Sequence, residues 1–350
     1  MFSPLETLKA VYLTRRPFLL NHKINIACDC RCKYCNSWQL TEDPARLLTR
    51  AEIETLLDRA RAAGMVSYSV WGGEPLLRDD LPAVLAHARR LGFFTTISTN
   101  ASCLAARAPE LAPHTSLFAV SLDGIGPVHD RVRGVPGLFD KVVAGIEAVR
   151  TAGTRVRLFY NVNMLNADGI AEAAALARDL GASIFFMPAI PLAGHNERVL
   201  LDDATRARAF EQVLTLKRGG YPVLNLKFYA RVIRDGASIK CRFPRYHIYV
   251  DHDGSLYTCD LGPKPDEKLA VWGDCRQVDL AALFDSREFR DKTRALENCQ
   301  ACRLSCGEIG SGSPLLQFPA RAWLRLRHET FGQRRPTLGG GQRGPARGQK

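Results

Sequence analysis

The sequence predicts an α/β protein built on a parallel sheet, with a small cysteine-rich appendage towards its C-terminal end. Three observations predict it. Short apolar runs alternate with helical patterns from residue 24 to residue 187. Polar and glycine-rich residues recur at the same end of successive runs, and six of the eleven cysteines fall after residue 240. Alternation at this pitch marks βαβ units, because parallel strands need a crossover that a helix supplies.

The expected strands are 24–27, 67–71, 93–98, 117–122, 155–162 and 183–187, with helical patterns at 49–64, 80–91, 103–112, 139–152 and 167–180. Thr49 and Glu52 have capping-box spacing, and Asn166–Asp168 opens an alanine-rich run. Six such units are two short of a closed eight-fold barrel. After residue 200 a helix is expected over 203–217. Beyond it, runs at 247–250 and 255–258 flank Asp253-Gly254, a hairpin turn signal. From about residue 332 glycine and arginine dominate, a composition that predicts disorder. The expected division is 1–20 as an amphipathic segment, 21–218 as the core domain, 219–310 as the cysteine-rich domain and 311–350 as a basic tail.

The 350 residues are 46% hydrophobic and 24% charged, ordinary for a globular protein with a sizeable core. Lys9, Arg15 and Arg16 interrupt any signal-peptide pattern, and no run approaches the ~18 apolar residues of a membrane span. A cytoplasmic setting is expected, where cysteines bind metal or do chemistry more often than they form bridges. The net charge of +12 is concentrated in the tail, where residues 321–350 carry eight basic side chains against Glu329 alone. Such a tail suits nucleic acid or an anionic membrane, although simple solvation is the plainer expectation.

The chemistry concentrates at Cys28, Cys32 and Cys35, a CxxxCxxC set. Three thiolates are one short of a closed zinc site or a fully protein-bound iron–sulfur cube, and leave one metal position open. A zinc knuckle or a redox dithiol is the alternative. Placement separates these readings, because parallel barrels gather their chemistry at the C-terminal ends of strands. Cys28 follows the first expected strand and Gly72-Gly73-Glu74-Pro75 the second. Ser98-Thr99-Asn100 ends the third, Ser121-Leu122-Asp123-Gly124 the fourth, Asn161-Val162-Asn163 the fifth and Met187-Pro188 the sixth.

In combination, over residues 20–310, these motifs resemble the radical S-adenosylmethionine (SAM) superfamily. The resemblance implies a curved, partly open (β/α)6 TIM-like barrel. It implies a [4Fe–4S] cluster on Cys28, Cys32 and Cys35, with exchangeable SAM on the fourth iron. One-electron cleavage of SAM would then yield a 5′-deoxyadenosyl radical that abstracts hydrogen from a substrate. Gly72, Gly73, Glu74 and Pro75 match the family's GGEP element, whose carbonyls bind the SAM amine. Ser98, Asn100, Ser121, Asp123 and Asn163 are implied contacts to its carboxylate and ribose. Tyr34 would cover the cluster or lie beside adenine, and Arg133 would pair with a carboxylate. Cys30 departs from the pattern, as does Ala101, where many relatives have glycine.

The later cysteines resemble the auxiliary-cluster domain called Twitch or SPASM. The resemblance implies one auxiliary [4Fe–4S] cluster on Cys241, Cys259, Cys299 and Cys302. Zinc stays open there, as do the roles of Cys30, Cys103, Cys275 and Cys306. Expected partners are an electron donor such as flavodoxin or ferredoxin and an unidentified substrate: a peptide or protein, a small metabolite or a lipid. With 23 residues before the first expected strand, an N-terminal peptide-recognition domain is not expected. Nor are a cobalamin domain and a nucleic-acid partner. Segments 5–20 and 315–328 mix aliphatic and basic residues in a way that suits peripheral membrane contact. The competing reading from another class is a non-catalytic zinc or iron–sulfur adaptor with a nucleic-acid-binding tail.

Overall fold

A computed structural model describes residues 16–41, 43–192, 194–237, 244, 246–259 and 268–296. Six parallel strands form its centre: β1 (Leu19–Lys23), β2 (Ser67–Trp71), β3 (Phe94–Thr99), β4 (Leu117–Ser121), β5 (Arg155–Val162) and β6 (Ser183–Pro188). Their crossovers carry α1 (Arg50–Ala62), α2 (Leu81–Arg90), α3 (Leu104–Leu111), α4 (Pro127–Arg133), α5 (Leu138–Thr151) and α6 (Ile170–Asp179). Then follow α7 (Asp203–Arg218), α8 (Lys227–Arg234), strands β7 (His247–Val250), β8 (Ser255–Cys259) and β9 (Leu269–Asp274), and helices α9 (Leu280–Asp285) and α10 (Arg287–Leu296). A parallel sheet with this connectivity is a partial (β/α)6 barrel.

Burial alternates along β2, β3 and β5, as a period of two requires. One face is fully buried: Val70, Ile97, Val120, Leu158 and Ile184 join Leu57, Leu85, Ile146 and Ala174 of the helices in a single core. The opposite face carries Trp71, Ser98 and Ser121 and stays partly accessible. The expected capping box holds α1, with Thr49 Oγ1 accepting from the Glu52 N–H and Glu52 accepting from the Thr49 N–H.

Three expectations need correction. The first strand is Leu19–Lys23, not 24–27. The apolar run Ile24-Asn25-Ile26-Ala27 suggested the later position, and the polar sequence Asn21-His22-Lys23 concealed the real strand. His22 is fully buried, with Nδ1 at 2.8 Å from the Tyr68 hydroxyl, and burial pushes its pKa down to about 3. Helix α6 begins at Ile170, because Asn166 turns its amide onto the carbonyls of Asp123 and Asn161 instead of capping the helix. Helix α4, between strand four and the expected helix at 139–152, went unrecognised; Pro127 opens it and Gly134 at φ +70° closes it.

The cysteine-rich region does not begin a separate sheet. Strand β7 pairs in parallel with β1, and β8 and β9 follow antiparallel, giving the order β6-β5-β4-β3-β2-β1-β7-β8-β9. The sheet therefore runs across the expected boundary at 218/219. Cys241, Cys299, Cys302, Cys306, the segment 315–328 and the tail lie outside the described residues, as do residues 1–15.

Candidate cluster and cofactor site

The cysteine loop leaves β1 and crosses the C-terminal ends of the strands. Cys28, Cys30, Cys32 and Cys35 line one cavity of about 170 Å³, together with Tyr34, Trp38, Trp71, Gly72, Gly73, Ser98, Asn100, Ser121 and Arg133. Residues from the cysteine loop, the ends of β2, β3 and β4, and the end of α4 thus meet where the placement rule expects chemistry.

The glycines allow a close approach of two backbones. Residues 24–27 run beside the GGEP segment, with the Gly73 N–H donating to Asn25 O at 3.0 Å and the Glu74 N–H to Ala27 O at 2.8 Å. A Cβ on Gly73 would lie 2.0 Å from Ile26 O, and one on Gly72 would lie 2.4 Å from Asn25 O. Only glycine lets these two backbones approach so closely. Glu74 is completely buried and ties this segment to the third strand. Its carboxylate accepts from Thr99 Oγ1 (2.7 Å), the Leu76 N–H (3.0 Å) and the Asn100 N–H (2.6 Å). Burial raises its pKa to about 7 against these bonds. Pro75 opens the short 3₁₀ turn that follows.

The strand-end polar residues divide into two groups. Ser98 and Ser121 face the cavity. The others brace the loops around it, although Asn100 and Arg133 also reach its wall. Asn100 donates to Asp29 at 2.7 Å and accepts from the Ser102 N–H at 2.8 Å. Asp123 is wholly buried and accepts from the Tyr34 hydroxyl at 2.8 Å and the Asn161 N–H at 2.7 Å. Arg133 Nε lies 2.6 Å from Asp123 Oδ2, its guanidinium 5.5 Å from the Tyr34 ring centroid. The expected carboxylate partner of Arg133 is therefore Asp123 of the protein itself. Asn163 serves the turn after β5, accepting from the Leu165 N–H and donating to Asn161 O.

Sequence reasoning missed two of these braces. His195 Nε2 lies 2.9 Å from Cys35 O, and Asn196 donates to Tyr34 O at 3.1 Å, so the loop after β6 clamps the cysteine loop. No motif announced them. His129 Nδ1 accepts from the Asp123 N–H at 3.0 Å, and burial lowers its pKa to about 4.

The donor set fits an iron–sulfur cluster. Cys30 is 1% exposed, and its thiol hydrogen-bonds the sulfurs of Cys28 and Cys32. These bonds lower the pKa of both partners, Cys28 to about 7, and raise that of Cys30. Burial pushes the Cys35 thiol up. Three sulfurs with the family spacing therefore converge on a cavity, and the extra thiol sits between two of them.

The other described cysteines are distinct. Cys103 packs half-buried against the core. Cys275 is 2% exposed within the core, and burial raises its pKa to about 12. Register pairs Ser255 with Asp274 and Cys259 with Leu269, so Cys275 and Cys259 occupy opposite ends of the β8–β9 ladder. Four residues of strand separate those ends by roughly 14 Å, too far for both to serve one cluster.

The fold and the cavity define an open parallel α/β barrel with a cysteine-lined cavity at its strand ends. Residues 23–180 match the radical SAM superfamily model, and residues 241–307 match an iron–sulfur cluster-binding domain. The chain belongs to the radical SAM superfamily and carries a C-terminal SPASM-type domain. The first domain implies a [4Fe–4S] cluster with SAM, the second auxiliary iron–sulfur binding.

Among relatives, the pre-heme d1 synthase of Dinoroseobacter shibae is 30% identical over 183 residues, 52% of this chain and 45% of the relative. The GTP 3′,8-cyclase of Bradyrhizobium diazoefficiens is 29% identical over 255 residues, 66% of this chain and 73% of the relative. The chain spans about half the length of the first curated relatives it matches. Streptococcus suis SuiB bound to S-adenosylmethionine superposes with a TM-score of 0.67 at 17% identity, over 85% of this chain and 77% of SuiB. That likeness shows the fold. Among the described residues no helix is long and apolar enough to cross a membrane.

Proposed function

We propose that this chain is a radical SAM enzyme whose core cluster is held by Cys28, Cys32 and Cys35. The observation that carries the proposal is the convergence of these sulfurs on one cavity walled by Gly72, Gly73, Ser98, Asn100 and Ser121. When bound, the cluster supplies one electron that splits SAM, and the resulting 5′-deoxyadenosyl radical takes a hydrogen atom from the substrate. The chain's residues bind, orient and exclude water. Ser98 and Ser121 offer hydroxyls to the polar end of SAM. Trp71 and Tyr34 add aromatic surface to the same cavity. The Glu74, Asp123 and Asn196 braces keep the walls fixed while bonds are exchanged.

Cys241, Cys259, Cys299 and Cys302 are the proposed ligands of one auxiliary [4Fe–4S] cluster, and flavodoxin or ferredoxin is the proposed electron donor. The proposed location is cytoplasmic. Heme and GTP appear in the names of the relatives, which supports a small polar metabolite as substrate ahead of a peptide or a lipid. The test is 5′-deoxyadenosine formation from SAM by anaerobically reconstituted, chemically reduced protein, beside the Cys28/Cys32/Cys35→Ala triple variant. Product from the wild type alone is expected. Zinc in place of iron in the wild type would sink the proposal.

A further inference from the structure

Arg133 stands out because it touches the Cys32 sulfur and a buried carboxylate at once. Its Nη1 donates to Cys32 Sγ at 3.6 Å, and its Nε lies 2.6 Å from Asp123 Oδ2. The residue is 8% exposed, and Asp123 is not exposed at all. The contact is held by backbone as well. The Arg31 N–H donates to Arg133 O and the Lys33 N–H to Val132 O, both at 2.9 Å, which stitches the cysteine loop to the end of α4. Gly134 permits that closeness, since a Cβ there would lie 2.5 Å from Arg31 O.

Among the described residues the other two family-pattern sulfurs receive neutral donors. The Asn100 amide lies 4.0 Å from Cys28, and the Ser37 N–H lies 3.5 Å from Cys35. Cys32 thus faces a cation where its partners face dipoles. Reduction adds negative charge to a cluster and its thiolates, and hydrogen bonds to the sulfurs help set its potential. A buried cation at one sulfur favours the reduced form, and low polarity strengthens the effect. The Asp123 carboxylate opposes it.

We propose that Arg133 raises the reduction potential of the core cluster through its charged hydrogen bond to Cys32, with Asp123 as the counterweight that limits the rise. The proposal rests on Cys28, Cys32 and Cys35 holding that cluster, and it makes Arg133 a tuning residue.

The test is an EPR-monitored redox titration of full-length, anaerobically reconstituted protein without SAM. The Cys28/Cys32/Cys35→Ala variant supplies the auxiliary-cluster background. Arg133→Gln is expected to lower the midpoint enough to cut the reduced-to-oxidised ratio about tenfold at the wild-type midpoint, ~59 mV for one electron. Arg133→Lys keeps the charge without the planar fork and is expected to shift it less, in the same direction. Asp123→Asn is expected to raise it. Unchanged midpoints in both Arg133 variants, or a downward shift in Asp123→Asn as well, would overturn the proposal. Should Arg133→Gln fail to hold iron, the lysine variant decides alone. A wild type with no signal beyond the triple-alanine background would instead overturn the cluster assignment itself.

Discussion

The cysteine cavity and the β7–β9 meander belong to one continuous sheet, yet they are held together by different physics. Around the cavity, the bracing ion pair is buried: the Asp123 side chain is 0% exposed and that of Arg133 9%. Around the meander, among the described residues, only Asp251 is a buried carboxylate, meeting His252 and Lys268 at 2.6 Å, while Arg276 pairs with Glu52 and Asp274 at 33–37% exposure and Arg46, itself 65% exposed, pairs with Asp253. Cysteines follow the same division, with Cys28 and Cys35 at a cavity wall and Cys275 sealed in the core. The difference teaches that the first region is a cavity walled by buried braces, whereas most ion pairs in the described part of the second lie at its surface.

The largest expected effect sharpens the cysteine half of this comparison. Alanine at Cys28, Cys32 or Cys35 should remove the core cluster's iron and sulfide after reconstitution and abolish 5′-deoxyadenosine formation. Cys275→Ala should leave both intact, because its thiol only packs. Cys30→Ser should likewise keep the core iron. Iron and sulfide analysis checks all three, and loss of auxiliary iron in Cys275→Ala would break the comparison.

Next come the braces. Asp123→Ala strands a buried guanidinium and should cost about 3–5 kcal/mol in denaturant unfolding. His129 ties the same region to pH. Its folded pKa of about 4 lies below the ordinary 6.5, so the unfolded chain binds more protons between those values. The stability it contributes is present above pH 6.5 and lost as pH falls to about 4. Unfolding titrations of His129→Gln should show a flatter slope across that window. Gly73→Ala drives a Cβ to 2.0 Å from Ile26 O, and should cost about 1–3 kcal/mol by overpacking together with most of the SAM affinity, read by calorimetry.

Much of this was legible beforehand. β2, β5 and β7 have the expected bounds: alternating burial imposes on β2 and β5 a period-two pattern that the sequence displays, and the Asp253-Gly254 turn signal delimits β7. The cysteine spacing and the GGEP element were legible because each is carried by residues a few positions apart in the sequence. β1 was not, since its polar residues are buried by partners distant in sequence: Tyr68 takes His22, and β7 supplies a second flanking strand. Asn196 and His195 were invisible for the same reason, because each clamps a backbone carbonyl some 160 residues away. Their function belongs to tertiary geometry and leaves no local spacing to notice.

The smallest expected effect probes the meander. Arg276 reaches Glu52 of α1 at 2.6 Å and Asp274 at 2.9 Å, and its Nη1 also donates to Asp253 O at 3.0 Å. Those contacts join the β9 turn to α1, yet they sit where water and salt compete. Arg276→Ala should therefore cost no more than about 1 kcal/mol, and the cost should shrink further in high salt. Denaturant unfolding at two ionic strengths separates this from the Asp123 pair, whose burial should leave its cost nearly salt-independent. A loss at Arg276 as large as that at Asp123, unchanged by salt, would mean that the meander is braced as tightly as the cavity. The distinction between the two regions would then fail.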